Sequence, residues 1–179
     1  MNTTANKITV FRMILIPVFL VLMYLGQRYW ALAVYTIACL SDVADGYIAR
    51  HYNQVTNFGK FMDPLADKML VLAAMCYFVE SKQMAGWMVA VVLLREFGVS
   101  GLRLVAVEQG RVIAAARSGK TKTGVTMVSL GVMMVSPLWW PGAYVTIDLV
   151  CAWLILLTTV YSGGEYFVKN ADVFKDTAA

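Results

Sequence analysis

One histidine, His51, and three cysteines, Cys39, Cys76 and Cys151, are all the soft-ligand chemistry in this 179-residue chain. The cysteines are odd in number and lie apart inside apolar runs. That pattern gives neither a disulfide framework nor a zinc site, and it reads as three small buried hydrophobes. Charge is scarce as well: 15% of residues are charged, against about a quarter in soluble domains. Internal repeats and low-complexity segments are absent, and no basic stretch is free of apolar helix, which argues against nucleic acid as a partner. The apolar run after Arg12 lacks an A-x-A-like end and leads into further apolar segments, so no cleavable signal peptide is expected.

What the chain has in excess is apolar side chain: 60% of residues are hydrophobic and the mean hydropathy is +0.66. A bilayer is the solvent this composition suits. A spanning helix takes roughly 20 residues, so the length accommodates six helices with short loops and no soluble module. The expected fold is an all-α integral membrane protein, one domain over residues 1–179, with six transmembrane helices. The spans are predicted over residues 8–25, 30–50, 64–79, 86–107, 123–138 and 143–168. Turns are expected at Gly26–Arg28, at Glu80–Ala85 and at the interfacial Trp139–Gly142. The second span stops being apolar at Leu40, and its polar continuation from Ser41 implies a wet region there.

Lys and Arg set orientation. With the N-terminus inside, Lys7, Arg12, Arg50, Lys60, Lys68, Arg103, Arg111, Arg117, Lys120, Lys122, Lys169 and Lys175 fall on the inner side. Arg28 and Lys82 fall outside, and Arg95 lies at membrane depth. Twelve against two is a positive-inside pattern, which predicts a cell-membrane protein with both termini in the cytoplasm. The same cations would attract anionic membrane lipids.

The stretch from Asp42 to Asp67 carries most of the functional information. Asp42 and Asp45 are three apart and Asp63 and Asp67 four apart, so each pair shares one helix face. The first pair closes the second span and the other opens the third. Four carboxylates brought together at membrane depth need compensation, and oxygen-only ligands suit Mg²⁺, Mn²⁺ or Ca²⁺. Two such ions could clamp a diphosphate, and a carboxylate not fully used as ligand could act as general base. Gly46 and Ala49 leave room for a flat group such as a nucleobase. Gly59 is expected to permit the turn, with Asp63 as N-cap and Pro64 at the first position of the third helix. His51 reads as a solvated loop histidine beside Arg50, while Asp148 and Glu165 are expected at the interface.

A second group of charges lies further on. Arg95 and Glu96 interrupt an apolar helix, where ionisable residues are functional candidates, though a buried structural pair is the alternative. Arg103, Arg111, Arg117, Lys120 and Lys122 crowd the cytoplasmic side of the fourth and fifth spans. They either follow the positive-inside pattern alone or bind a phosphorylated substrate through guanidinium forks and ammonium point charges. A transporter or channel would also carry intramembrane charge, but it often shows repeated halves with broken helices, which are not seen here. A structural subunit would not need the carboxylate cluster.

The run Asp42-x2-Asp45-Gly46-x2-Ala49-Arg50-x8-Gly59-x3-Asp63-x3-Asp67 resembles the full signature of the CDP-alcohol phosphotransferases, with no departure at a fixed position. The resemblance implies six spans around a cytosol-facing polar cavity, often a homodimer, and divalent metal, Mg²⁺ or Mn²⁺ and two ions, on the donor diphosphate. It implies Asp42, Asp45 and Asp63 as ligands, with Asp67 both at the metal site and the catalytic base. Arg95-Glu96-Phe97-x3-Gly101-Leu102-Arg103 and Gly119-Lys120-Thr121-Lys122-Thr123 are similar to the branch of the family whose acceptor is glycerol 3-phosphate. Asn6-Lys7-Ile8-Thr9-x2-Arg12 is similar to that branch's opening. This resemblance implies CDP-diacylglycerol as donor, held by Asn6, Thr9, Gly46, Ala49 and Arg50. It implies acceptor phosphate binding by Arg95, Arg103, Arg111, Arg117, Lys120 and Lys122. Inositol phosphate would satisfy the same cations; serine and phosphatidylglycerol are further acceptors the family chemistry would allow.

Overall fold

The computed structural model describes residues 4–51, 57–111, 113 and 116–174, with the side chains of 4–7, 42–51, 57–61, 63, 64, 67 and 174 outside that description. Six helices follow one another: α1 (Thr4–Tyr24), α2 (Arg28–His51), α3 (Asn57–Glu80), α4 (Gly86–Glu108), α5 (Arg117–Trp139) and α6 (Tyr144–Lys169). A 3₁₀ turn, Ala171–Phe174, ends the described chain, and there is no strand among the described residues. Two of the helix ends show how the turns are made. Gly26 and Gly110 adopt φ of +72°, a conformation in which a Cβ is strained. At each the following N–H reaches back five residues, Gln27 to Leu22 O and Arg111 to Ala106 O, which closes the helix by a Schellman motif.

Short connections make consecutive helices antiparallel, so the ends of α1, α3 and α5 lie with the starts of α2, α4 and α6. That end collects aromatic side chains at the interface: Tyr29, Trp30, Trp87, Trp139, Trp140 and Tyr144 are all exposed. Trp139 Nε1 donates to Tyr29 Oη at 3.2 Å. Amphipathic rings at one level are what a membrane–water boundary selects. The opposite end carries the aspartate signature and most cations.

The core runs through all six helices: Phe19, Tyr35, Phe78, Met88, Met133 and Ile155 are buried in it. Ala31, Ala38 and Ala74 are wholly buried, and small residues at these positions let helix backbones approach closely. Large apolar side chains also cover the outside, including Leu94 at 75% exposure, Val128 at 68% and Val168 at 80%. An apolar exterior of this extent does not suit water. Among the described residues one helix, Tyr144–Lys169, is long and apolar enough to cross a membrane, and Ile8–Tyr24 forms a shorter apolar run.

Four expectations need correction. The third helix starts at Asn57, so Gly59 lies in its first turn, and Asp63 and Pro64 are interior positions rather than N-cap and first residue. Likewise α5 starts at Arg117, not near 123. In both cases a polar turn or two extends the helix beyond its apolar segment, and hydropathy marks only where apolar contact begins. Asp148 is 2% exposed rather than interfacial. Of the cysteines, Cys151 is buried, Cys39 intermediate and Cys76 exposed; on an apolar exterior a thiol is tolerated as readily as in the core.

Candidate active site

The aspartate signature is split between the last turns of α2, with Asp42 and Asp45, and the first turns of α3, with Asp63 and Asp67. Both segments occupy the same end of the bundle. The side chains of these four, and of Gly46, Ala49, Arg50 and Asn6, lie outside the described residues. Thr9 is wholly buried on α1, and Arg12, one turn later, is 1% exposed. Among the described side chains no group of three acidic, imidazole or thiol residues forms a metal-sized cluster elsewhere. Oxygen-only side chains such as those of the signature are the ligand type that hard divalent cations take.

Beside it opens a cavity of about 640 Å³ between α3, α4, α5 and α6. Leu65, Lys68 and Met69 contribute one wall, so the turn of α3 that carries Asp67 borders the cavity. Five cations line it, Lys68, Arg95, Arg103, Lys120 and Lys122, and Glu96 is the one carboxylate among the described lining residues. An excess of positive charge among the described lining residues makes the cavity suited to an anion.

Four of the five cations have a partner among the described residues. Glu96 Oε1 accepts from Arg95 Nη1 at 3.1 Å and from Lys122 Nζ. The Lys122 side chain is only 7% exposed, a depth at which an ammonium without a partner would be strongly destabilised. Lys68 Nζ donates to Ser100 Oγ at 2.6 Å, and that hydroxyl donates to Glu96 O at 2.8 Å. Arg95 Nη2 donates to Ser162 Oγ at 2.6 Å. Arg103 Nε donates to Tyr166 Oη at 2.8 Å, with the guanidinium 5.4 Å from the ring centroid. Lys120 lies one turn into α5 and is exposed.

Of the six cations expected to bind acceptor phosphate, the structure thus brings Arg95, Arg103, Lys120 and Lys122 together. Arg117, at the start of α5, is exposed and not among the lining residues. Arg111 pairs with Asp172 of the 3₁₀ turn at 2.7 Å, both half-exposed, outside the cavity. Sequence reasoning passed over Lys68 as an orientation charge and assigned no role to Ser162 or Tyr166. The sequence does not single them out, since α6 also carries Thr146, Asp148, Thr158, Thr159 and Glu165.

A sequence profile of the CDP-alcohol phosphatidyltransferase family matches residues 2–161. A Bacillus subtilis protein named CDP-diacylglycerol–glycerol-3-phosphate 3-phosphatidyltransferase is 40% identical, over 95% of this chain and 96% of its own. Proteins of the same name from Rickettsia typhi and Salmonella paratyphi A are 32% and 39% identical, over 93% and 83% of this chain and 96% and 86% of theirs. The matched region takes in the aspartate signature and every cation that lines the cavity, and on that extent of likeness the chain belongs to the CDP-alcohol phosphatidyltransferase family.

Proposed function

We propose that this chain transfers the phosphatidyl group of CDP-diacylglycerol to sn-glycerol 3-phosphate, giving phosphatidylglycerophosphate and CMP. The observation that carries the acceptor is the cavity itself: five cations around one carboxylate, opening beside the helical turn of Asp67. Its size suits a three-carbon phosphate, and its charge argues against serine. The names of the relatives in three genera support the same donor and acceptor.

In this reading Asp42, Asp45, Asp63 and Asp67 hold divalent metal, Mg²⁺ or Mn²⁺ and two ions, which neutralises charge on the donor diphosphate when bound. Gly46, Ala49 and Arg50 of α2, with Asn6 and Thr9 of α1, receive the cytidine end. Arg95, Arg103, Lys120 and Lys122 grip the acceptor phosphate, and Lys68 adds a fifth charge. The Asp67 carboxylate takes the proton of the glycerol 1-hydroxyl. That oxygen attacks the phosphorus bearing diacylglycerol, the bond to the CMP oxygen breaks, and CMP leaves. Positioning and charge stabilisation supply the rate. All six helices span the bilayer, the cavity faces the cytoplasm with both termini, the acyl chains stay against the apolar exterior, and two copies pair as a homodimer.

The test is CMP release by the purified chain in detergent with CDP-diacylglycerol and Mg²⁺ or Mn²⁺. Glycerol 3-phosphate, inositol phosphate, serine and phosphatidylglycerol are supplied in parallel. Release with glycerol 3-phosphate alone is expected. Release with another acceptor alone would keep the aspartate chemistry and overturn the reading of the cavity.

A further inference from the structure

The acceptor cations belong to α4 and α5, yet where two of them point is decided by α6. Ser162, Gly163 and Tyr166 are all buried on the helix face turned toward α4, the first and last a single turn apart. Ser162 Oγ takes one arm of the Arg95 fork at 2.6 Å while Glu96 takes the other at 3.1 Å. A Cβ at Gly163 would stand 2.8 Å from Arg95 Cγ, with Arg95 Cβ at 3.8 Å and Nε at 3.9 Å. The obstructed atom lies near the root of the side chain, so bending the tip gives no relief; the whole arginine would have to turn. Gly119 of α5 flanks the same fork, its Cβ position 3.8 Å from Arg95 Nη2. Arg103 is held on the adjoining turn, its Nε bonded to Tyr166 Oη at 2.8 Å and its plane over the ring.

We propose that this face of α6 is the positioning element of the acceptor site: Gly163 makes the space in which the stem of Arg95 lies, and Ser162 and Tyr166 aim the Arg95 and Arg103 guanidiniums at the acceptor phosphate. The inference rests on the cavity being the acceptor site. The physical gain is preorganisation. A free arginine carries roughly 2 kcal/mol of rotamer entropy, and fixing it before the ligand arrives removes that cost from binding. Tyr166 uses Arg103 Nε alone, and the two terminal nitrogens have no acceptor among the described residues. They remain available for the bidentate contact that guanidinium makes with phosphate.

The molecule supplies its own control. Gly164 neighbours Gly163, but a Cβ there meets nothing within 4 Å. Steady-state kinetics of Gly163→Ala, Gly164→Ala and Tyr166→Phe would be compared with wild type in detergent, varying donor and acceptor separately and following thermal unfolding. Gly163→Ala is expected to raise the KM for glycerol 3-phosphate about tenfold, with the donor KM within about twofold. Tyr166→Phe, which removes a single oxygen, should raise the same constant about threefold or more, and Gly164→Ala should match wild type. Should Gly163→Ala not fold, the Tyr166→Phe split alone decides. Equal rises in the donor and acceptor constants, a Gly164→Ala variant as impaired as Gly163→Ala, or unchanged acceptor constants in Gly163→Ala and Tyr166→Phe would overturn the proposal and leave the functional reading standing. A wild-type chain that releases no CMP with glycerol 3-phosphate would overturn both.

Discussion

At both ends of the bundle a carboxylate is enclosed by polar side chains, but one end is closed and the other open. At the aromatic end, Asp148 of α6 accepts from Ser136 of α5 at 2.5 Å and from Gln83 of the α3–α4 turn at 2.7 Å. Gln83 also donates to Met133 O at 3.3 Å, the carbonyl that Pro137 cannot serve because it has no N–H. A neutral donor meets each oxygen of that carboxylate, and Gln83 serves the carbonyl left without its helical donor. At the aspartate end, Glu96 is shared by two of five cations, and a cavity remains. Polar residues within an apolar bundle thus serve two ends: where donors and acceptors match, they join helices; where positive charge is left over, they line a cavity that the proposed acceptor would fill.

The comparison is broken hardest at Asp67. Asp67→Asn keeps shape and removes the proposed base, and it should lower kcat by roughly 10² to 10⁴ while CDP-diacylglycerol still binds. Turnover near wild type would remove Asp67 from the proton transfer. Chelating divalent metal should stop CMP release in the unaltered chain, with Mg²⁺ or Mn²⁺ restoring it. Activity that persists in EDTA would contradict the carboxylate–metal reading.

The surplus cations come next. Lys120→Ala and Arg103→Ala each delete a charge-assisted contact of about 1.5–3 kcal/mol, so the KM for glycerol 3-phosphate should rise about tenfold or more. Unchanged constants in both variants would mean that the surplus charge serves orientation in the membrane only. The closed end should respond in the other observable. Asp148→Ala removes an acceptor of both Ser136 and Gln83 and leaves them only the Met133 carbonyl; buried hydrogen bonds to a charged group are worth about 1.5–3 kcal/mol each. Thermal stability should fall while the acceptor KM stays within about twofold of wild type. A raised acceptor KM with unaltered stability would show that the two ends are coupled.

How legible each end was follows from what its chemistry looks like in one dimension. The six helices were readable because apolar runs alternate with turn residues such as Gly26 and Pro141. Their ends at Asn57 and Arg117 were not, since a polar helical turn in a wet cavity has the composition of a loop. The four aspartates were readable as helix-face pairs from their spacing. The cations of the cavity were visible as charges in apolar context, yet only packing separates Lys68, facing the cavity, from Arg111, facing the 3₁₀ turn. The bonds of Arg95 to Ser162, Arg103 to Tyr166 and Gln83 to Asp148 join residues 63 to 67 positions apart in the chain. Nothing in a single sequence announces such pairs; buried serine, glutamine and tyrosine read as ordinary polar interruptions.

Arg111 gives the smallest effect and the finest test of where the open end stops. It was expected among the acceptor cations because it follows Arg103 on the same side of the membrane. Its guanidinium instead meets Asp172 at 2.7 Å with half of each side chain exposed, a pair worth about 0–1 kcal/mol. A charge outside the cavity acts on the acceptor only through a screened field, since the Debye length is about 8 Å at physiological salt. Arg111→Ala should therefore raise the acceptor KM less than about threefold, and the rise should shrink as salt is added. Lys120→Ala should keep most of its effect under the same titration, because a direct contact inside the bundle is screened much less. A salt-resistant, tenfold rise in Arg111→Ala would move the boundary of the acceptor site outward to the 3₁₀ turn.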